Sequence, residues 1–254
     1  RPEPNCPDVV GFSQQMRYQT QQLFLWWLDE MATSPHTLQE KMTWFWHGHW
    51  ATSVGKVNYA LPMFNQNVTM RKYALGNFTE FSKTMFSDGA LQVWLDGQEN
   101  TVKAPNENFS REMMELFVLG VNRYTETDVK ELARAFTGYQ VPRSTGVITY
   151  NARRRDTSSV TVLGKTGVMS PEEVIAHLVA QHNSALFIAE RIWYRFVSSQ
   201  EPLPQDHPMI KAFADRDTYA LMKSLIESSA LSQQQYSMVK SPVEWFIAAC
   251  RALE

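Results

Sequence analysis

The stretch Pro105 to Gly120, PNENFSREMMELFVLG, limits the possible folds of this chain more than any other. At about 100° per residue, Phe109, Met113, Leu116 and Phe117 fall on one face of a helix, and such a face needs a core to pack against. Asn108, Glu112 and Glu115 line up along the flank of that face, with Glu112 closest to the apolar stripe. Glu107 and Arg111 lie four apart on the far side, where they can pair. Charged groups drawn toward an interior destabilise the fold by several kcal/mol unless they are paired or bound. The segment therefore predicts a helix whose carboxylates either belong to an internal ion-pair network or face a site.

Helical spacing continues through most of the chain. Gln14 to Met31 carries Met16, Thr20, Leu23, Trp26, Trp27 and Met31 on one stripe, and Ser34-Pro35 ends it. Further helices are predicted over Leu38–Trp46, Asn67–Asn77, Thr79–Phe86 and Gly89–Leu95. Asn106 or Asn108 caps the charged helix, and Gly120 suits a left-handed residue after its end. Thr125 stands three residues before Asp128, a variant of the capping box that opens a helix to Thr137. Val147–Tyr150 and Val160–Leu163 are β-branched and flank a polar loop, so they read as one hairpin spanning about residues 146–164. Helices return after Ser170-Pro171 and finish with Pro242–Leu253. The fold class is thus mostly α: a single helical domain over residues 1–254, with one small β-hairpin and an irregular lead-in over residues 1–12.

Composition removes some functions. With a net charge of −2, the chain lacks the basic surface on which a general nucleic-acid binder depends. Its one basic run, Arg153-Arg154-Arg155, reads as a solvated loop or an anion site. No apolar run approaches the roughly 20 residues of a membrane span. No glycine-rich phosphate loop, dinucleotide fingerprint or nucleophile elbow is present. Cys6 and Cys250 have no metal-ligand spacing, and the sequence leaves open whether they pair. Eight Trp suggest an aromatic core or groove.

Two constellations carry possible chemistry. Glu112 and Glu115, with Arg111, are the catalytic candidates if the carboxylates move protons or bind a metal. In the alternative, Asn106, Glu107, Asn108, Arg111, Glu112 and Glu115 form a structural network. The second constellation is Trp44-Phe45-Trp46-His47-Gly48-His49-Trp50. His47 and His49 share a face only if the chain is extended there, which a bend at Gly48 permits. With Glu112 and Glu115 they would supply a mixed imidazole and carboxylate set for a divalent metal. Simple packing among the Trp residues accounts for the same pattern. Asn65-Gln66-Asn67 with Arg71 reads as a solvated helix start.

Several of these strings together resemble one bacterial family, the domain-of-unknown-function family 1800. They are WWLDEM (26–31), LQEKMTWFWHGHWATS (38–53), ALGNF (74–78), WLDG (94–97), PNENFSREMMELFVLG (105–120), YTETDVKELARAFTGY (124–139), VLG (162–164) and KSPVE (240–244). The resemblance implies a bacterial, largely helical and often exported protein, often encoded beside a second exported protein, and it brings no reaction with it. It implies that His47, His49, Asn106, Glu107, Asn108, Arg111, Glu112 and Glu115 occupy the family's motif positions. The chain departs from the family at Tyr73, where many members have His. It departs again at Arg155-Asp156, where they tend to have His-Asp followed by Lys. Members are also longer, so the sequence reads as a piece of a longer chain or a naturally short member. The functional expectation is an extracytoplasmic, non-catalytic binding or assembly module with a protein partner. The alternative is a metal-assisted or redox enzyme with a His/Glu site. Substrate and small-molecule ligand stay open.

Overall fold

Helices dominate the chain, joined by two small antiparallel ribbons. The computed structural model describes residues 9–233 and 238–253. Helix α1 (Val9–Thr33) begins inside the expected irregular lead-in, whose residues 1–8, with Cys6, lie outside the described residues. Its more buried positions include the predicted stripe from Met16 to Met31, whereas Phe24 and Leu25 face solvent. Among the described residues no helix is long and apolar enough to cross a membrane.

Helix α2 (Thr37–His49) runs past the predicted end at Trp46 and through Gly48. The bend expected at Gly48 is absent. Phe45, Trp46, His49 and Trp50 are all buried, and their burial outweighs the roughly 1 kcal/mol that a helical glycine costs. A single turn, α3 (Val54–Val57), leads into α4 (Ala60–Tyr73), which starts well before Asn67. Pro62 lies in the first turn of α4, where helix N–H groups have no partner in any case.

Asn67 and Arg71 are not at a solvated helix start. Arg71 donates from Nε and Nη2 to both oxygens of Glu40, at 2.6 and 3.0 Å, and from Nη1 to Asn67 Oδ1 at 2.7 Å. Its guanidinium also lies over the Trp26 ring at 5.0 Å. A buried ion-pair network therefore links α2 to α4.

Helix α5 (Phe78–Phe86) is capped by Asn77, and α6 (Gly89–Trp94) by Asp88. Burial raises the Asp88 carboxyl to about 7 although Leu91 N and Gln66 Nε2 both donate to it. Gly89 has no room for a side chain, since a Cβ there would lie 2.1 Å from the Gly146 carbonyl. Helix α7 (Glu107–Glu112) passes directly into a π-turn over Met113–Val118, which Leu119 N closes onto Met114 O at 2.8 Å. Helix α8 (Glu126–Ala135) opens on the predicted Thr125–Asp128 capping box.

Both stretches read as strands do contain strand, but they pair with other partners than each other. Strand β1 (Tyr139–Gln140) pairs with β2 (Thr149–Tyr150), and β3 (Val160–Val162) with β4 (Lys165–Gly167). The β3–β4 connection is Leu163-Gly164, both at positive φ (46° and 77°), as a two-residue type I′ turn requires. In the basic run between β2 and β3, Arg153 is exposed, but the other two arginines are tied into the fold. Arg154 donates to Gln98 O at 2.9 Å, and Arg155 donates to Met169 O at 2.8 Å and to Ala135 O. Asp156 pairs with Arg134 at 2.9 Å.

Helices α9 (Pro171–Ala180), α10 (His182–Phe196), α11 (Pro208–Ala212), α12 (Thr218–Glu227) and α13 (Pro242–Leu253) complete the chain. Arg216 donates to the carbonyls of Val179, Ala180, Gln181, Phe213 and Ala214, closing the end of α9. One apolar cluster runs from α2 to α12, with Trp46, Trp50, Phe78 and Phe81 among its fully enclosed side chains. Helix α13 lies outside it, against α1, and Lys41 of α2 pairs with its Glu244.

The Glu40–Arg71 pair gives the first prediction. Arg71→Met leaves a buried carboxylate without its counter-charge and lowers the unfolding free energy by about 3 kcal/mol, whereas Glu40→Leu combined with Arg71→Met recovers most of that loss. Urea unfolding followed by circular dichroism measures both. A double variant as unstable as the single one would show that the pair does not act as a unit.

Candidate functional site

The charged helix and the end of α2 meet at a cleft of about 570 Å³. His49, Glu112, Glu115 and Arg191 line it, with Trp94, Phe117 and Phe187 as aromatic wall and Leu116 and Val121 also on its surface. Its parts come from α2, α6, the α7–π segment and α10. Asn106 and Asn108 brace it from behind. Their side-chain amides donate to Asp96 O at 2.9 Å and Leu95 O at 3.3 Å, tying the start of α7 to the end of α6. Gly120, at φ +89°, lets the chain leave the π-turn close to Phe187, where a Cβ would lie 2.9 Å from the ring. The π-turn also alters the predicted stripe. Phe109, Met113 and Phe117 are buried, but the wider turn swings Leu116 out to 50 % exposure.

The charged residues of the helix divide into those with partners and one without. Arg111 makes a two-pronged contact with Glu126, both distances 2.7 Å, and approaches Glu107 at 3.6 Å. The bond to Glu126 raises the Arg111 pKa further. Glu115 accepts a short hydrogen bond from the Tyr124 hydroxyl. Burial first, then that bond and the Glu115 charge, push the Tyr124 phenol up to about 12. Glu112 has no side-chain hydrogen bond or ion pair among the described residues. Partial burial, then the Glu115 charge, raise its pKa, and Arg111 only partly opposes them.

The two histidines part company. Residues two apart on a helix point about 200° from each other. His47 packs between Trp27, at 4.8 Å centroid to centroid, and Trp44, away from the cleft. His49 is 4 % exposed and faces it. Burial, reinforced by the Arg191 charge, pulls its pKa down to about 3 against the opposing hydrogen bond to Phe117, so the ring is neutral. Its Nε2 lies 2.9 Å from Phe117 O. A carbonyl can only accept, so Nε2 carries the proton and Nδ1 is a bare acceptor, which has no donor. The four-residue metal set is therefore not assembled: the chain brings His49, Glu112 and Glu115 to one cleft and leaves His47 elsewhere. Among the described residues, no three His, Cys, Asp or Glu side chains are grouped as a metal ion requires.

Sequence reasoning missed Arg191. It is half-buried on α10, its Nε is enclosed without an acceptor, and its side chain has no partner among the described residues. Burial and the neighbouring Arg195 lower its pKa, and no carboxylate offsets them. The crevice between α13 and α2 contains Glu40, Lys41 and Glu244, all already paired.

The profile of a family described as "Protein of unknown function (DUF1800)" matches residues 10–254. The chain belongs to that family. No curated protein and no solved structure matches it. Within this DUF1800 chain, the two positions that depart from the family resemblance have packing roles. Tyr73 stacks on Phe81 at 5.5 Å, and Arg155 donates to Met169 O at 2.8 Å.

Glu112 gives the second prediction. A carboxyl group whose pKa is raised by folding binds its proton more tightly in the folded state, so stability falls as pH climbs from the ordinary 4.5 through the raised value. Glu112→Gln removes this penalty. At pH 8 it raises the melting temperature by about 2 °C, and at pH 4 it changes nothing. Thermal melts across that range test it; a variant that melts lower at pH 8 would refute the assignment.

Proposed function

We propose that this protein is a non-catalytic binding module whose cleft receives a small ligand bearing an ammonium-type cation. The observation that carries the reading is Glu112, a partly buried carboxylate beside a second carboxylate, whose opposing guanidinium, Arg111, is already engaged by Glu126. A partly buried carboxylate beside a like charge is stabilised by any opposite charge that reaches it, and none of the described residues supplies one by contact. An arriving ammonium would stabilise Glu112 and Glu115 together, and the aromatic wall would cover its apolar part. The non-catalytic reading is supported by His49, whose low pKa and single committed proton suit it poorly to proton transfer near neutrality. We extend the proposal to the setting implied by the family: action outside the cytoplasm, with a protein partner.

A metal-assisted reading has one observation in its favour, the approach of His49, Glu112 and Glu115 to a single cleft. Arg191 in the same cleft opposes it, because a fixed guanidinium repels a divalent cation.

Thermal-shift titration with simple amines and with divalent metals decides between these readings. Amines at about 100 times their Kd stabilise the folded state by about 2.7 kcal/mol, a rise of roughly 5–10 °C. The rise is lost in Glu112→Gln. No amine response at millimolar concentration, or one unchanged in Glu112→Gln, would overturn the proposal. Stoichiometric metal in protein prepared from metal-free buffers would favour the metal reading.

A further inference from the structure

We infer that the ligand is a zwitterion of the amino-acid type, its ammonium group on Glu112 and Glu115 and its carboxylate on Arg191. This rests on the binding reading above and adds the opposite pole. Arg191 and His49 share one electrostatic neighbourhood, since the Arg191 charge depresses the His49 imidazole. Glu112 and Arg191 make no side-chain hydrogen bond or ion pair with each other or with any other described residue. Both line one cleft without forming an ion pair, so the cleft offers a carboxylate and a guanidinium that do not neutralise each other by contact.

Each pole holds a ligand of single charge less tightly than one that carries both charges. A plain cation satisfies the carboxylates but leaves Arg191 half-buried and uncompensated, and is repelled by it. A plain anion meets the reverse problem at Glu112 and Glu115. A molecule with both charges satisfies both sides, and a planar guanidinium matches a carboxylate two-pronged. The cleft volume, about 570 Å³, lies within the range of small-molecule sites. Trp94, Phe117 and Phe187 leave an apolar surface for the side chain of the ligand.

The experiment is a thermal-shift and calorimetric screen of the full chain against the twenty common amino acids. The best binder is then compared with its carboxamide, which keeps only the cation, and its N-acetyl form, which keeps only the anion. The free amino acid is expected to bind at least tenfold more tightly than either capped form. Arg191→Gln should reduce that affinity to the level of the carboxamide while leaving carboxamide binding unchanged or improved; its melting temperature without ligand verifies that it folds. If the carboxamide binds as well as the free amino acid in the parent chain, the ligand is a plain cation: this inference fails and the binding reading stands. If no amino acid and no amine binds, both fail.

Discussion

The hydrogen bond between His49 and the Phe117 carbonyl fixes the geometry on which the cleft depends. It joins the last turn of α2 to the π-turn across a shell of aromatic rings, with Phe45, Trp46, Trp50 and Phe187 around the imidazole. That shell excludes water and keeps the ring neutral, and a neutral ring has one proton to give. The proton goes to Phe117, so the orientation of the imidazole is set by the same burial that sets its charge state. Glu112 and Glu115, on the segment leading to Phe117, are thereby held at a fixed distance from α2 and α10.

What could be read in advance follows from the range of each interaction. The capping box at Thr125–Asp128 is complete within four residues, and it forms. The α1 stripe is likewise local. The end of α2 was not legible, because Gly48 signals a bend and only the assembled aromatic core outweighs it. Strand pairing failed for a similar reason: Leu163 takes a left-handed conformation that leucine rarely adopts, so the tight turn carries no recognisable signature. The Glu40–Arg71 pair spans distant segments, and each member looks unremarkable alone. For the cleft, the flank of Glu112 and Glu115 was visible from spacing. Arg191 was not, since a lone arginine on an amphipathic helix reads as solvated until the fold closes over it.

Charges elsewhere in the molecule are handled differently from those in the cleft. Arg216 reaches five carbonyls, Arg134 contacts Glu131, Asp156 and Ser158, and Arg71 spans Glu40 and Asn67. In the cleft, by contrast, one glutamate and one arginine lie without side-chain partners among the described residues. Stability and function commonly pull apart at such positions, where a binding surface is left incomplete in the free state.

The π-turn makes the site depend on residue number as well as residue type. Bonding Leu119 N back to Met114 O accommodates one more residue than an ordinary helical turn. Removing any single residue between Met113 and Val118 would let the helix close into regular α geometry, with the chain beyond it nearly in phase but the residues inside the turn shifted by one position. Tyr124 would then lose Glu115, and the carbonyl of Phe117 would turn from His49. In this segment a shift in length is therefore a larger change than most substitutions, because it re-registers the residues of the π-turn against the rest of the cleft.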